Sequence, residues 1–456
     1  MNAKTPITAS TLGTTGAVLL PDDPAYDEER SGFQAGYSHR PALTVVAAGP
    51  GDVRAAVAHA AGNRLPVAVQ STGHGLSAPA DGGVLVSTRR LTDLHVDPAT
   101  RTARAGAGVR WSEVIEAAAE HGLAPLNGSA PGVGVVGYLT GGGLGILGRQ
   151  FGYAADHVRA FDLVTADGAL RRVTPDSEPD LFWAVRGGGG NFGVVTSVEF
   201  DLVPLPTVYG GVLAFDGEHA DEVLAAYPGW ARSLPEELTS SLALMTWPDA
   251  PFAPEPFRGR HVTQLRIAFT GDPAEGERLV EPLRKVAPRL VDSLREMPYA
   301  ESHTIHSDPP HPHPYDGDNA LVTDLSPEAL RTLAGPEARE SAVVQIKHLS
   351  GAFGREPRVP NAVGHRDAEF LVSVLSALFT TDRETARAAH GRILAPLEPH
   401  RIGRQLNHLF GEFGEDRVRD AYERGTWERL TRVKGEHDPG NLFRLNYNIP
   451  PSGDAG

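Results

Sequence analysis

Cysteine is absent from all 456 residues, which removes disulfide scaffolds, thiolate metal sites, iron–sulfur clusters, thiol nucleophiles and any attachment of a prosthetic group through sulfur. Long apolar runs are missing too. No stretch approaches the roughly 18 residues that a membrane helix needs. Met1–Leu20 has no twin arginine and only a short apolar run from Gly16 to Leu20, too little for a secretory leader. The expectation is a cytoplasmic protein with no membrane partner. A basic excess is also lacking: Lys plus Arg is 42 against 57 for Asp plus Glu, a formal net charge of −15. A protein that tracks phosphates shows the opposite sign, so nucleic acid is not an expected partner. The negative charge needs no role beyond solubility, and no internal repeat is visible.

What is abundant is glycine, at 51, and proline, at 37, together roughly a fifth of the chain where about 12% is usual. That is short of the composition of a disordered chain and implies many tight loops. The length suffices for two or three domains.

From Ala42 the sequence alternates extended and helical patterns. ALTVVAAG reads as a strand, DVRAAVAHAAG as a helix with Val53, Ala56, Val57 and Ala60 on one face, ending at Gly62, and PVAVQS as a second strand. GVLVSTRR follows, then two strands around Asp97-Pro98, then a helix over WSEVIEAAAEHG closed by Gly122. AFDLVTADGALRRVTP carries Asp167-Gly168 between alternating runs, a strong hairpin signal. GVVTSVEFDLVP is a further strand. Between Tyr209 and Asn407 the strand candidates GGVLAF, SSLALMTW, HVTQLRIAFTG, SAVVQIKHLSG, EFLVSVLSALF and IGRQLNHLF alternate with helices. One of these, DPAEGERLVEPLRKVAP, has Asp272 as N-cap, Pro273 at the first helical position and Glu275 placed to complete a capping box. This segment fits an α+β unit with a mainly antiparallel sheet. The end of the chain reads as a charged helix, a DPGN turn and an extended tail.

Three stretches match G-x-G-x-x-G: Gly132–Gly137, Gly143–Gly148 and Gly188–Gly193. A nicotinamide-binding Rossmann site requires a preceding strand, a following helix and an acidic residue about 20 positions on, and none of the three meets that context. Turns without a ligand explain isolated glycines but poorly explain GVGVVGYLTGGGLG. So much bare backbone suits a large ligand lying against it, with N–H groups free for phosphates. The loop Gln70-Ser71-Thr72-Gly73-His74-Gly75, directly after a strand, combines two hydroxyls, a backbone-exposing turn and an imidazole. His74 is either an ordinary loop histidine or one presented to a ligand.

On these residues the chain resembles the FAD-linked oxidases of the berberine bridge enzyme group, its bacterial members in particular, within the p-cresol methylhydroxylase and vanillyl-alcohol oxidase superfamily. The loop around His74 matches the family's R-G-G-G-H-S type loop, and Pro131–Gly145 its second flavin loop. Asp156-His157-Val158 and RGGGGNFGVVT (Arg186–Thr196) match further FAD-domain motifs, and RLTRVKGEHDPGNLFRLNYNIPP matches the C-terminal signature. The resemblance implies an α+β, two-domain PCMH-type fold. Residues 1–207 would form the FAD-binding domain, 208–409 a substrate domain roofing the flavin on an antiparallel sheet covered by helices, and 410–456 a segment returning to the FAD domain.

It also implies FAD, joined to the protein by one covalent bond through His74. Ala130 stands where many relatives carry a cysteine that makes a second bond. Cofactor-binding roles follow for Ser71, Thr72, Gly73, His74, Gly75, Val133, Gly134, Gly137, Gly141, Gly142, Gly143, Val195, Asn446 and Asn448. A hydride acceptor also needs donors aimed at the ring edge that becomes anionic, and Asn407 matches an asparagine near the flavin. On an extended tail, Asn446 and Asn448 share a face and Tyr447 takes the other.

A base is often required as hydride leaves. Several relatives have Glu or Asp at the position of Gln345, which cannot serve. Lys347 on the same strand face, Tyr447 and Tyr138 are the remaining catalytic candidates, each tyrosine being equally readable as packing. Val133 sits at a position that gates oxygen in relatives, valine being typical of oxidases, and is otherwise a simple filler. The histidines of ESHTIHSDPPHPHPYDGDNA (His303, His306, His311, His313) have no partners at metal-ligand spacing and read as a mobile loop by the substrate entrance.

The expected activity is hydride removal from a C–H next to oxygen or nitrogen in a small or medium organic substrate, with O2 as acceptor and H2O2 as product. The alternatives are a flavin dehydrogenase with another acceptor, or a flavin scaffold that binds or cyclises a metabolite without net redox change. The expected state is monomer or homodimer.

Overall fold

The computed structural model describes residues 8–76, 78–251 and 253–452. Four short strands form the first sheet, in the order Val18–Leu19, Leu43–Val46, Val84–Ser87, Val67–Gln70, with the last three parallel. Parallel neighbours need a crossover, and the helix Pro50–Asn63 provides it, burying Val53, Ala56, Val57 and Ala60. The helix runs one residue past Gly62 and ends where Arg64 takes a left-handed conformation, φ 55°. Asp52, buried in its first turn, accepts from the amides of Thr15 (2.7 Å), Gly16 (2.9 Å) and Ala48 (2.8 Å), tying the N-terminal strand to the sheet.

A second sheet is antiparallel, in the order Leu94–Asp97, Thr102–Gly106, Val194–Asp201, Val158–Val164, Leu170–Val173. It contains the hairpin expected around Asp167-Gly168, and its central strand is entered from the third glycine cluster.

The third sheet has nine strands, all paired antiparallel. Its central order is Thr207–Asp216, His261–Phe269, Leu238–Thr246, Val343–His348, Phe370–Ala377, Tyr315–Val322, Arg401–Gly403. One face is apolar. Leu265, Ile267, Leu242, Leu244, Val344, Ile346 and Val372 pack there against helices Ala220–Arg232, Pro273–Arg284, Pro327–Leu333 and Arg383–Leu394. Because side chains alternate along a strand, the residues between them form a second, polar face. The fold is α+β, as expected.

Several elements differ from the sequence reading. Tyr315–Val322 is a fully buried strand, although its run of Asp316, Asp318 and Asn319 argues against one. A 3-10 turn, Tyr299–Ile305, leads into the four-histidine segment and takes in its first histidine, His303. IGRQLNHLF is a strand only to Gly403, because Gln405 is captured by Asn319 through both main-chain groups (2.8 and 3.0 Å) and a 3-10 turn follows at Leu406–His408. The terminal charged helix is two helices, Glu415–Arg419 and Arg424–His437. Asp272 caps its helix by accepting from the amides of Ala274 (2.9 Å) and Glu275 (3.3 Å). The reciprocal half of a capping box is missing, since the Glu275 carboxylate pairs with Arg278 instead. The segment Asn446–Asn448 is irregular instead of a strand.

A buried ion pair fixes the end of the chain. Lys434, fully buried, donates to Asp438 Oδ2 (2.7 Å) and to the carbonyls of Asn191 (2.7 Å) and Phe443 (3.1 Å). Asp438 accepts in turn from the amides of Leu442 (2.7 Å) and Phe443 (2.9 Å). The C-terminal segment is thereby clamped onto the third glycine cluster.

Candidate active site

The first wall of the site grows out of the end of strand Val67–Gln70. Gly73 has φ +70°, and a Cβ on it would lie 2.6 Å from Gly32 Cα, so only glycine lets residues 32–34 come this close. Phe33 N–H donates to Thr72 O and Gln34 N–H to Gly73 O, both at 2.9 Å. This contact stacks the Phe33 ring on His74, centroids 3.9 Å apart and 12° from parallel. The Tyr315 hydroxyl donates to the His74 carbonyl (2.6 Å), and His74 Nδ1 meets Thr72 Oγ1 at 2.8 Å. Burial, with the charges of Arg110 and His313, pushes the His74 imidazole down to about 4, so it is neutral near pH 7. Its other nitrogen, Nε2, is 4.0 Å from the point where Gly132 would carry a Cβ.

The second glycine-rich segment crosses this loop. A Cβ on Gly134 would lie 3.4 Å from Ser71 Oγ and 3.6 Å from Thr72 Oγ1, while Gly75 and Gly137 face open space. Val133 packs at the edge of the main core. The carbonyls of Gly141, Gly142 and Gly143 are held by Gln405 Nε2 (3.2 Å), Ala155 N (3.0 Å) and Ala154 N (2.9 Å). Tyr138 has its ring edge-on to Trp111 at 5.4 Å and its hydroxyl buried without a partner. Burial raises that phenol well above its ordinary value. Asn407 donates to Tyr138 O (2.9 Å), and its Oδ1 lies 1.8 Å from where Gly141 would place a Cβ. Asn407 therefore occupies the space of a missing side chain.

In the tail, Asn446 Nδ2 donates to Gly190 O and Phe443 O, both at 3.1 Å, but its Oδ1 and that of Asn448 are buried without partners. The Tyr447 hydroxyl turns the other way and donates to Leu409 O (2.6 Å). Val195 is packed in the core on strand Val194–Asp201, which lies against the helix Val135–Thr140 of the glycine segment.

The second wall is the polar face of the nine-stranded sheet. Register places Arg266, Ser241 and Lys347 in one cross-strand row, and Gln264, Ala243, Gln345 and Ser373 in the next. Gln345 and Lys347 thus share a face. Burial is the main cause that brings the Lys347 ammonium down to about 8. His408, next to Asn407, is driven well below its ordinary value by burial and by Lys347, and its Nδ1 pairs with Gln405 Oε1 at 3.0 Å. A small cavity separates the walls, lined by Leu144, Gly145 and Ile146 of the glycine segment and by Ser241, Arg266, His306 and Lys347 opposite.

Sequence reasoning pointed to the loops and set His306 in a segment by the substrate entrance, but gave no role to Arg266, Ser241, His408, Phe33 and Tyr315. A signal existed for Arg266: in HVTQLRIAF, Gln264 and Arg266 alternate with Leu265 and Ile267. Among the described residues no group of three or more His, Asp or Glu is placed to hold a metal, and no helix is long and apolar enough to cross a membrane.

The unpartnered acceptors Ser71 Oγ, Asn446 Oδ1 and Asn448 Oδ1, together with the open glycine cradle, fit a large ligand rich in donors as well as acceptors. Comparison with known proteins agrees. Residues 41–174 match the model of the FAD binding domain, and residues 404–450 that of berberine and berberine-like proteins. The chain is 30% identical to (R)-6-hydroxynicotine oxidase of Paenarthrobacter nicotinovorans over 98% of its own length and 99% of that protein. It is 28% identical to YgaK of Bacillus subtilis, an uncharacterised FAD-linked oxidoreductase, covering 96% and 97% of the two chains. Among solved structures, 6-hydroxy-D-nicotine oxidase from Arthrobacter nicotinovorans superposes with a TM-score of 0.85 at 27% identity, over 98% of this chain and 100% of that one.

Proposed function

The chain belongs to the FAD-linked oxidoreductases with a berberine-like C-terminal segment, and on that premise we propose an oxidase whose FAD is held covalently through His74. It removes hydride from a C–H next to oxygen or nitrogen in a small or medium organic substrate and passes the electron pair to O2, giving H2O2. FAD, when bound, supplies the hydride acceptor and the carrier of that electron pair. Residues 1–207 and 410–456 are taken as the FAD-binding part and 208–409 as the substrate part.

The observation that carries this reading is the state of His74. A neutral imidazole keeps a lone pair, Thr72 occupies Nδ1, and Nε2 beside Gly132 is left as the nitrogen to bond carbon. Ser71, Asn446 and Asn448 supply acceptors for the cofactor's donors. Gly75 and Gly137, which face open space, keep side chains out of its way, while Gly73, Gly134, Gly141, Gly142 and Gly143 let the neighbouring segments pack closely enough to shape its bed.

Of the base candidates, Tyr447 has committed its hydroxyl proton to Leu409, and the buried Tyr138 phenol holds its proton too firmly. Lys347, brought down to about 8, has a neutral fraction near physiological pH and takes the proton of a substrate N–H or O–H. Gln345 and Asn407 orient the substrate, and Tyr447 and Tyr138 position the segments they anchor. The valine at 133 favours O2 as acceptor.

In acid precipitation the yellow colour is expected to stay with the protein, and to move to the supernatant for His74→Ala. Colour lost from the unaltered protein removes the linkage. After anaerobic photoreduction, return of colour within seconds in air supports the oxidase, whereas persistence for many minutes points to another acceptor.

A further inference from the structure

The polar row on the sheet wall contains a cation with nothing to neutralise it. Arg266 is only 4% exposed, yet its guanidinium makes a single side-chain hydrogen bond, to the neutral Gln264 Oε1 (3.1 Å), and its Nε is buried without a partner. No carboxylate lies within ion-pair distance of it among the described residues; Asp308 is the charge that acts on it from farther off. Elsewhere in the same sheet buried charges are matched, Asp318 with Arg404 at 2.9 Å and Asp316 with Arg387 at 3.1 Å. An uncompensated buried guanidinium is costly unless an anion arrives.

A second orphan donor faces the same space. His306 Nε2 meets Ser241 Oγ at 3.4 Å, and its Nδ1 is buried and unpaired. With the Ser241 hydroxyl donating to Nε2, Nδ1 carries the ring proton and is free to donate. Arg266, Ser241 and His306 all line the cavity between the walls, whose remaining lining includes Leu144, Ile146 and Ile305.

We propose that this cavity selects substrates bearing a carboxylate on an apolar body, the carboxylate being held by Arg266 Nε and His306 Nδ1. Strands lie about 4.8 Å apart, so Lys347, two strands from Arg266 in the same row, is roughly 10 Å away. That spacing separates the anchored acid from the reacting C–H by the length of a short chain or one ring. The inference rests on the oxidase reading for what happens at the far end, but not for the binding itself.

The test measures binding calorimetrically on the FAD-loaded protein at pH 7, using 3-phenylpropionate, 4-phenylbutyrate and their amides. The acids are expected to bind at least tenfold more tightly than the amides. Arg266→Gln should abolish that preference, while Arg266→Lys, which keeps charge but not the planar fork, should retain part of it. His306→Ala should weaken the acids alone. Retained flavin absorbance and an unchanged melting temperature certify each variant.

Equal binding of acids and amides overturns the proposal. So does a preference that survives Arg266→Gln, or an Arg266→Gln variant that alters only the flavin reduction potential. If the preference holds but derivatives of these acids with a 4-aminomethyl or 4-hydroxymethyl group on the ring, whose oxidisable C–H lies at the end remote from the carboxylate, never bleach the flavin anaerobically, the anion site stands and the oxidase reading falls.

Discussion

The two walls of the site are made of different material. The loop wall, residues 71–75 and 131–145, is mostly backbone: glycines set where the chain can pass, and its few side chains reach partners nearby, such as Thr72 on His74. The sheet wall is side chain: Arg266, Ser241 and Lys347 come from three strands and meet only through pairing register. A backbone wall suits one ligand shape whatever its sequence surroundings. A side-chain wall can be rewritten residue by residue without disturbing the fold, and on the proposed function it is the wall that chooses the substrate.

The comparison breaks most visibly if the loop wall loses its support. Lys434→Met removes the cation under the third glycine cluster and leaves Asp438 buried without its charge partner. The expected loss is about 3–5 kcal/mol of stability in chemical denaturation, with weakened FAD retention. A loss below about 1 kcal/mol would mean that Asp438 is satisfied by the amides of Leu442 and Phe443 alone.

On the sheet wall the effect is chemical. A base acts in its neutral form, so activity of the unaltered protein should rise with pH through about 8 and level off above it. Lys347→Met should lower kcat/KM about a hundredfold and remove that limb of the profile, with FAD content unchanged. A variant that keeps the limb assigns the proton to another group, His408 being the nearest alternative to examine.

The same contrast explains what could be read from the sequence. The His74 loop and the glycine segments were legible because their geometry is written in consecutive residues, as were the hairpin at Asp167-Gly168 and the Asp272 cap. Strand Tyr315–Val322 was not, because what makes its burial tolerable lies far along the chain. Asp316 is answered by Arg387, Asp318 by Arg404 and Arg417, and Asn319 by Gln405. No periodicity within eight residues contains that information. The Arg266 row escaped notice for the mirror reason: each strand shows ordinary alternation, and only register brings the three polar residues side by side.

Gly141 is where the walls touch, and it gives the smallest and sharpest of these tests. Its φ is −87°, which any residue adopts, so Gly141→Ala carries no backbone strain and acts only through the added methyl. That methyl would sit 1.8 Å from Asn407 Oδ1, and Asn407 must rotate away, breaking its hydrogen bond to Tyr138 O. Stability should fall by about 1–3 kcal/mol at most, as for other overpacked sites. FAD should remain bound, and kcat/KM should drop about tenfold as substrate orientation is lost, since small misplacements are expensive in rate. Asn407→Ala should give a similar drop, and adding it to Gly141→Ala should cost little more, because both changes remove the same contact. Fully additive losses would instead mean that Gly141 acts on the cofactor directly and that Asn407 serves the substrate independently, so that the two walls meet without being coupled.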